Sequence, residues 1–518
     1  MRRLDYPASL PSIREPNRLH FDYDYDPMLK PRLSLIATTI ALSLAASCTT
    51  ESAAPGGKAG ATGSSGRGGT GGKPGNTGGK GGGGSEADAS VADGAAAGSG
   101  GAGGRLGSGG RSGSGTAGNG ANDPSSALFD PEVLQRFDIT LPAASVDALG
   151  QTPDVYTHGA LTYGDTTLAD VGVRIKGESS RRTLEQKAAF KLKLDEYVAN
   201  QRLLGLNRIT LNNMVSDATF MAECLAYTVY RAANLPAPRC NHALVYVNDE
   251  LFGVYAHIES EDKTFLRRWF SSVDGNLYED GMSDFVSGAE SSFDLQTNET
   301  ANNRSDLRAL IGALDSARSS TYLADLDGIL DVSHYLRYTA VEAAVNQWDG
   351  YSYTYYEPNN FRIYHDPSTG KFTFIPWGHD LSMKAFPMYD DNPAPARSFI
   401  PLFTAPLYEN KEGARDAGGR IFVGDRSGDP GRATGGCLGS TSCRSEYATA
   451  ARDVITLYES LGLPALAASM YAQIREHVRA ESRKEVSNAE FESAYQALLT
   501  HLEGRTQAMQ NDLTEAGF

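Results

Sequence analysis

Downstream of position 48 the sequence has no apolar run that approaches the roughly 20 residues a membrane-spanning helix needs. Basic residues are also in deficit. Lys+Arg number 47 against 63 Asp+Glu, a formal charge of -16, which argues against a nucleic-acid binder, because such proteins need a basic surface to neutralise phosphates. Cysteine is scarce, 5 in 518 residues, and no Cys-x-x-Cys pair marks a zinc site. Glycine is abundant but unevenly placed: 29 of the 56 fall between Glu51 and Gly120. A stretch that rich in Gly, Ser and Ala buries too little apolar surface to offset its ordering entropy. Subtracting it leaves one globular unit of nearly four hundred residues, large enough for an enzyme with a cleft.

What precedes that unit reads as an address. Residues 1–27 are polar and unlike the start of an exported protein, so translation is expected to begin at Met28. From there Lys30 and Arg32 supply cations, 33–44 is a short apolar stretch, and Ala45, Ala46 and Ser47 form a small-residue cleavage site before Cys48. The apolar stretch suits a signal peptide and is too short to span. A cysteine just after the small residues resembles the bacterial lipobox, which implies cleavage before Cys48 and lipid on its thiol, although Ala45 stands where Leu is commonest. Residues 48–124 then read as a flexible tether, with a reach of about 45 Å for roughly 70 residues. With Cys48 assigned to lipid, an even four cysteines remain, which suits disulfides in an oxidising compartment. Cys437 and Cys443 sit in a Gly/Ser-rich loop and read as a stapled pair. Cys224 and Cys240 either pair or remain buried thiols.

From Ser125 the texture changes. Alternating strands are expected over 138–141, 169–176, 188–194, 208–213, 242–248 and 251–258, with one helix over 218–233 after Asp217. Beyond Asp262, helices at 263–270, 305–316 and 332–346 carry apolar residues at three-and-four spacing. A strand pair, 360–364 and 371–376, joined by a turn, interrupts them, and 446–512 is amphipathic helix. A β-rich first part and a mainly helical second part predict an α+β enzyme with a cleft between them.

Three clusters carry candidate chemistry. Arg174, Lys176, Gly177, Ser179 and Ser180, with Lys187 following, put cations, hydroxyls and backbone N–H groups at one strand-loop junction, where an anion could sit. A solvated hairpin tip has the same composition. Asp349-Gly350 ends a helix and Asn359-Asn360 opens the next strand, a spacing suited to a group that orients a hydroxyl and to a ligand for a divalent ion. An Asp capping a turn, before a loop carrying Tyr351, Tyr353, Tyr355 and Tyr356, is the plainer reading. Asp380 follows the strand ending in Ile375-Pro376-Trp377, and a carboxylate at a strand end suits a hard cation. His379 invites comparison with hydrolases, but no Gly-x-Ser-x-Gly elbow precedes it. In chain order the parts are those of a phosphotransferase, where positioning and charge neutralisation supply nearly all the catalysis.

With those residues in view, the chain resembles the CotH kinase family, the spore-coat-protein-H group of atypical protein kinases, over about 129–386. The resemblance rests on the run 171–181 (Val-Gly-Val-Arg-Ile-Lys-Gly-Glu-Ser-Ser-Arg) with Lys187 and Phe190, and on the run 245–255 with Glu259. It continues through 275–278, Asp349-Gly350, 359–361, and 375–377 with Asp380. It implies an atypical protein-kinase-like two-lobed fold, with a β-rich N-lobe of about 125–260 and a mainly helical C-lobe of about 261–518. The activity implied is transfer of the ATP γ-phosphoryl group, with Mg²⁺ or Mn²⁺, to Ser or Thr of exported or surface proteins. On that resemblance Lys187, preferred over Lys176, holds nucleotide phosphates with Arg174, Ser179 and Ser180 in support. Glu259 and Glu261 flank the nucleotide base, Asp349 positions the acceptor hydroxyl, and Asn360 and Asp380 ligate the metal. The expected protein is a monomeric lipoprotein of the cell envelope, anchored outside the cytoplasm by lipid alone and binding no nucleic acid. One departure counts against activity: Gly378 stands where the family has an acidic residue. A catalytically silent, kinase-like scaffold is therefore the alternative, and a hydrolase using His379 and Asp380 is a third.

Overall fold

The computed structural model describes residues 123–298, 303–354, 357–385, 398–403, 407–410, 413–416, 418–424 and 435–518. The N-terminal extension, the signal segment, Cys48 and the tether up to 122 lie outside the described residues, as do Tyr355 and Tyr356. Among the described residues no helix is long and apolar enough to cross a membrane.

The chain first builds β1 (Gln135–Thr140), α1 (Ala143–Gln151), β2 (Thr157–Tyr163), β3 (Thr166–Lys176), β4 (Ala189–Lys193), β5 (Arg208–Asn212), α2 (Ala222–Ala232), β6 (Cys240–Val247) and β7 (Glu250–Ile258). The seven strands close into a barrel in the order β1-β2-β3-β4-β5-β7-β6. Every neighbouring pair is antiparallel except β1 and β6, which run parallel with Phe137 opposite Val245. Closure removes the exposed edges an open sheet would leave. Strand alternation decides what fills it: Phe137, Ile139, Val171, Val173, Ile175, Phe190, Leu192, Ile209 and Leu211 point inward as one apolar core. The opposite parity of β3 and β4 therefore turns Arg174, Lys176 and Lys191 outward, with Arg174 opposite Lys191 in register.

The second part contains α3 (Lys263–Trp269), β8 (Asn276–Glu279), β9 (Asp294–Leu295), α4 (Ser305–Ser316), α5 (Tyr322–Leu326), α6 (Val332–Ala344), β10 (Phe361–Asp366), β11 (Lys371–Pro376), β12 (Leu407–Asn410), β13 (Gly413–Asp416), α7 (Arg420–Val423), α8 (Thr441–Ser460), α9 (Leu463–Ala480) and α10 (Asn488–Glu515). The content is thus α+β, as expected. The expected strand pair is a hairpin, β10 and β11, tightened where Asp366 Oδ1 accepts the Ser368 N–H at 2.9 Å. β8 and β9 extend it to four strands in the order β11-β10-β8-β9. The single amphipathic stretch expected over 446–512 is three helices. The last, α10, starts at a capping box in which Ser487 Oγ accepts the Glu490 N–H and Glu490 returns the bond.

Of the tyrosine-rich loop, the two described tyrosines are core. Tyr351 and Tyr353 are fully buried, and Tyr351 packs on Phe361 and Phe374 with ring centroids 4.9 Å away in each case. Their hydroxyls are satisfied by Asp284 Oδ1 at 3.1 Å and Leu402 O at 2.9 Å, as buried hydroxyls require. α2 lies between the two parts: Leu225 and Val229 share a core with Val254, Ala256 and Ile258 of β7 and with Val341 and Ala344.

Both cysteine pairs are bonded. Cys224–Cys240 ties α2 to the start of β6, and Cys437–Cys443 closes the short loop before α8. The first pair spans a separation of 16 residues, a loop for which the chain-entropy model gives about 3 kcal/mol. The double variant Cys224→Ser/Cys240→Ser is expected to lose stability of that order in urea denaturation. An unchanged midpoint would remove the bond from the account of how α2 is held.

Candidate active site

The outward face of the barrel meets the second part where Lys176 ends β3. Lys176 Nζ donates to Asn212 Oδ1, and Asn212 Nδ2 donates to both carboxylate oxygens of Glu223, at 3.1 and 2.9 Å. Glu223 opens α2 and is fully buried. Burial, then the charge of Asp380, pushes the Glu223 carboxyl well up; burial pulls Lys176 down against the pull of Glu223, Asp380 and Glu279. Lys176 thus lies within the electrostatic reach of Asp380. Trp377 lies beside that lysine, with the Lys176 ammonium 5.5 Å and the Arg362 guanidinium 4.6 Å from its ring centre.

Asp380 owes its place to its neighbours. β11 ends at Pro376, and Gly378 turns the chain with φ +60. His379 is driven inward, its Nδ1 2.9 Å from Ser382 Oγ and its ring against Tyr227 and Tyr230. Gln347 Nε2 donates to Gly378 O at 2.9 Å, and Met383 N donates to Val345 O at 2.8 Å, which pins this loop to the one after α6. That second loop carries Asp349. The buried Glu342 holds it by accepting the N–H groups of Tyr351 and Ser352 at 2.8 and 3.0 Å. Asn360, at φ +52, donates its Nδ2 to Asp349 O at 2.9 Å and to Asp349 Oδ2 at 2.8 Å.

The result is a crowd of like charges. Burial and then Asp380 raise the Asp349 carboxyl to about 7, with Asp280 adding to the push. Asp280 itself is raised to about 7, chiefly by burial. Lys384 lies within the field of Asp217, Asp380 and Asp349, and burial lowers it. Among the described residues no three His, Cys, Asp or Glu side chains are grouped to hold a metal ion unaided. The Asp380 carboxylate and the Asn360 amide oxygen are nevertheless the kind of oxygen donors a hard cation takes when substrate phosphates complete its shell. The Asn360 carboxamide occupies the space a Cβ at 378 would need. An acidic side chain there would have to displace the Asn360 carboxamide.

The expected residues do not all meet here. Lys176, Asp349, Asn360 and Asp380 do. Arg174, on the same face of β3, is 3.8 Å from Asp154 and stacks over Tyr156. Ser179 and Ser180 follow in the β3–β4 loop, where Ser180 O accepts from Asn213 Nδ2 at 2.9 Å. Glu261 is joined by Arg362, which also reaches Glu279 at 3.0 Å, and lines a narrow cavity with Lys191, Thr210, Ser260 and Trp377. Two placements are corrections. Lys187 is buried away from the carboxylates, 2.5 Å from Glu481 and donating to Val254 O at 2.9 Å. A charge so enclosed needs its own partner. Glu259 is taken by Arg239, at 2.9 Å, and by Arg268, and is a structural clamp. His379 is buried with its ring against Tyr227 and Tyr230, and burial lowers its pKa to about 3.

Sequence reasoning missed Glu223, Asp280, Arg362, Lys191 and Lys384. Glu223 alone left a signal: an acidic residue in the apolar run Ala222 to Ala226. Lys191 alternates like a solvent-facing strand residue, yet burial lowers it to about 7.

A carboxyl with a raised folded-state pKa keeps a proton that the unfolded chain has released, so its contribution to stability falls as pH rises from about 4 to about 7. Asp349→Asn is expected to flatten the decline in melting temperature between pH 5 and 8 by about 2–4 °C. An identical slope in both proteins would show that Asp349 carries no such proton.

Residues 173–415 match the family model described as CotH kinase protein. Over 188 residues the chain is 25% identical to the inner spore coat protein H of Bacillus subtilis (strain 168), covering 34% of this chain and 50% of that protein. The chain therefore spans about half the length of the curated relative it matches. The crystal structure of the Helicobacter pylori proinflammatory kinase CtkA is 10% identical, with a TM-score of 0.28, covering 70% of this chain and 93% of that one, a likeness too slight to argue from. The family match and the spore coat relative together support a place for residues 173–415 in the CotH family.

Proposed function

We propose that the chain is a kinase-like phosphotransferase, with the barrel as a β-rich lobe of about 125–260 and the remainder as a mainly helical lobe. The observation that carries the reading is the convergence on the 377–380 loop: Lys176 from the barrel lies 5.5 Å from the Trp377 ring centre, and Asn360, bonded to Asp349, packs against Gly378. Lys176, in place of Lys187, holds nucleotide phosphates, with Arg174, Ser179 and Ser180 beside it. Glu223 orients Lys176 through Asn212, a counterpart of the strand-lysine and helix-glutamate pair of protein kinases. Glu261 and Trp377 border a cavity of about 10 Å³ that must widen before it takes the base.

Asp349 orients the acceptor hydroxyl, and a carboxyl raised to about 7 is matched to receive its proton near neutral pH. Asp380 and Asn360 would hold Mg²⁺ or Mn²⁺, and the cation would neutralise charge on the phosphate oxygens of ATP. The acceptor is Ser or Thr of an exported or surface protein. The enzyme is a monomer held by lipid at Cys48 on the outer side of a membrane, with no role for nucleic acid.

With ATP labelled at the γ-phosphate and Mn²⁺, the full chain is expected to label itself or exported proteins. Asp380→Ala and Lys176→Met should each lose about 10²–10³-fold, the scale of removing one preorganised charge. Equal labelling by all three proteins would refute the assignment.

Gly378 favours the second reading, a silent kinase-like scaffold, because it withholds a carboxylate. If the site is built around that glycine, Gly378→Asp displaces Asn360 and lowers labelling at least about tenfold, since overpacking costs about 1–3 kcal/mol. A gain of labelling in Gly378→Asp from an inert parent would establish the scaffold reading instead.

A further inference from the structure

The segment between α9 and α10 leaves the C-terminal helices and returns to the barrel. Glu481, 3% exposed, sets one carboxylate oxygen 2.5 Å from Lys187 Nζ and accepts the Val254 N–H with the other at 2.8 Å. Gly253 makes that entry possible: its φ is +129, and a Cβ there would overlap the Glu481 carboxylate. Two residues on, Arg483 Nη1 donates to Leu184 O at 3.0 Å, to Glu185 O at 2.8 Å and to Gln186 O. Its Nη2 meets Glu250 Oε1 at 2.6 Å, and its guanidinium lies 4.2 Å over the Phe252 ring. Glu485 then takes the Arg182 guanidinium with both carboxylate oxygens, Oε2 at 2.7 Å from Nη2.

These partners are not scattered. Arg182, Leu184, Glu185, Gln186 and Lys187 belong to the loop that leaves Lys176 and enters β4. The first half is held by the barrel instead: Arg181 takes Asp154 through Nη1 at 2.7 Å and Nη2 at 2.8 Å, and Asn213 Nδ2 donates to Ser180 O at 2.9 Å, so the second half is the part left to the strap. One guanidinium capping three successive carbonyls fixes a single path for the second half, since each carbonyl would otherwise turn to water. The strap residues lie outside the 173–415 family match, while the loop they grip lies inside it.

We infer that Glu481, Arg483 and Glu485 form a C-terminal strap that positions the 177–187 loop for anion binding beside Lys176. The binding half of this inference rests on the kinase-like reading; the loop-holding half does not. Glu481 is unsuited to a first test, because removing it leaves Lys187 charged and buried. The Arg182–Glu485 pair is more exposed, with 19% and 39% of each side chain accessible, and can be reversed.

Hydrogen exchange on the full chain would compare wild type, Arg182→Glu, Glu485→Arg and the reversed pair carrying both. Each single variant is expected to exchange the amides of 178–186 about three- to five-fold faster, the worth of one well-formed surface pair, and the reversed pair to restore them. Affinity for ATP with Mn²⁺ should fall and recover in step. Unchanged exchange in the single variants would overturn the strap. Faster exchange with unchanged ATP affinity would overturn its positioning role. If wild type itself binds no ATP, the kinase reading fails, and the strap is decided by the exchange data alone.

Discussion

Like charge gathered out of water is the constraint on which the site depends. Asp349, Asp380, Asp280 and Glu223 belong to four different segments, and burial first, then the charge of Asp380, raises the proton affinity of Asp349 and Glu223. Such a cluster costs free energy unless cations meet it. The described residues bring Lys176 from the barrel and Lys384 from the loop after β11, both lowered by the same burial. A fold that tolerates this arrangement is poised to gain by admitting a cation and a polyanion together.

The rest of the architecture serves that crevice. The barrel needs Val171, Val173 and Ile175 inside, and the two-residue period of a strand then leaves no choice about where Arg174 and Lys176 point. α2, bonded to β6 through Cys224 one residue beyond Glu223, carries that carboxylate against the end of β5. On the other rim, Glu342 pins the 349–352 turn while His379, anchored between Tyr227 and Tyr230, leaves Asp380 to the crevice. Gly378 belongs to the same logic, since its missing side chain is where Asn360 sits.

The sequence made most of the elements legible, because alternation and three-and-four spacing report burial directly. The strand ending at Lys176, the hairpin of β10 and β11 that precedes Asp380, and the grouping of Asp349 with Asn360 were all readable from local pattern. What failed was whatever depended on distant partners. The parallel contact of β1 with β6 joins residues more than a hundred positions apart. Local pattern and resemblance favour Lys187 over Lys176, and only Glu481, nearly three hundred residues later, shows that Lys187 is held elsewhere. Glu259 likewise reads as a cleft carboxylate, and only Arg239 and Arg268 reveal it as a clamp. Lys191 and Arg362 carry ordinary strand patterns, and their charges matter only because two separately folded surfaces face each other.

The central claim is that the barrel cation and the helical-side carboxylates form one binding crevice. A crystal structure of the full chain with Mn²⁺ and a non-hydrolysable ATP analogue tests it most directly. The account predicts the ion against Asp380 and the phosphates beside Lys176. Nucleotide seated elsewhere, or Mn²⁺ bound without contact to Asp380, would contradict it.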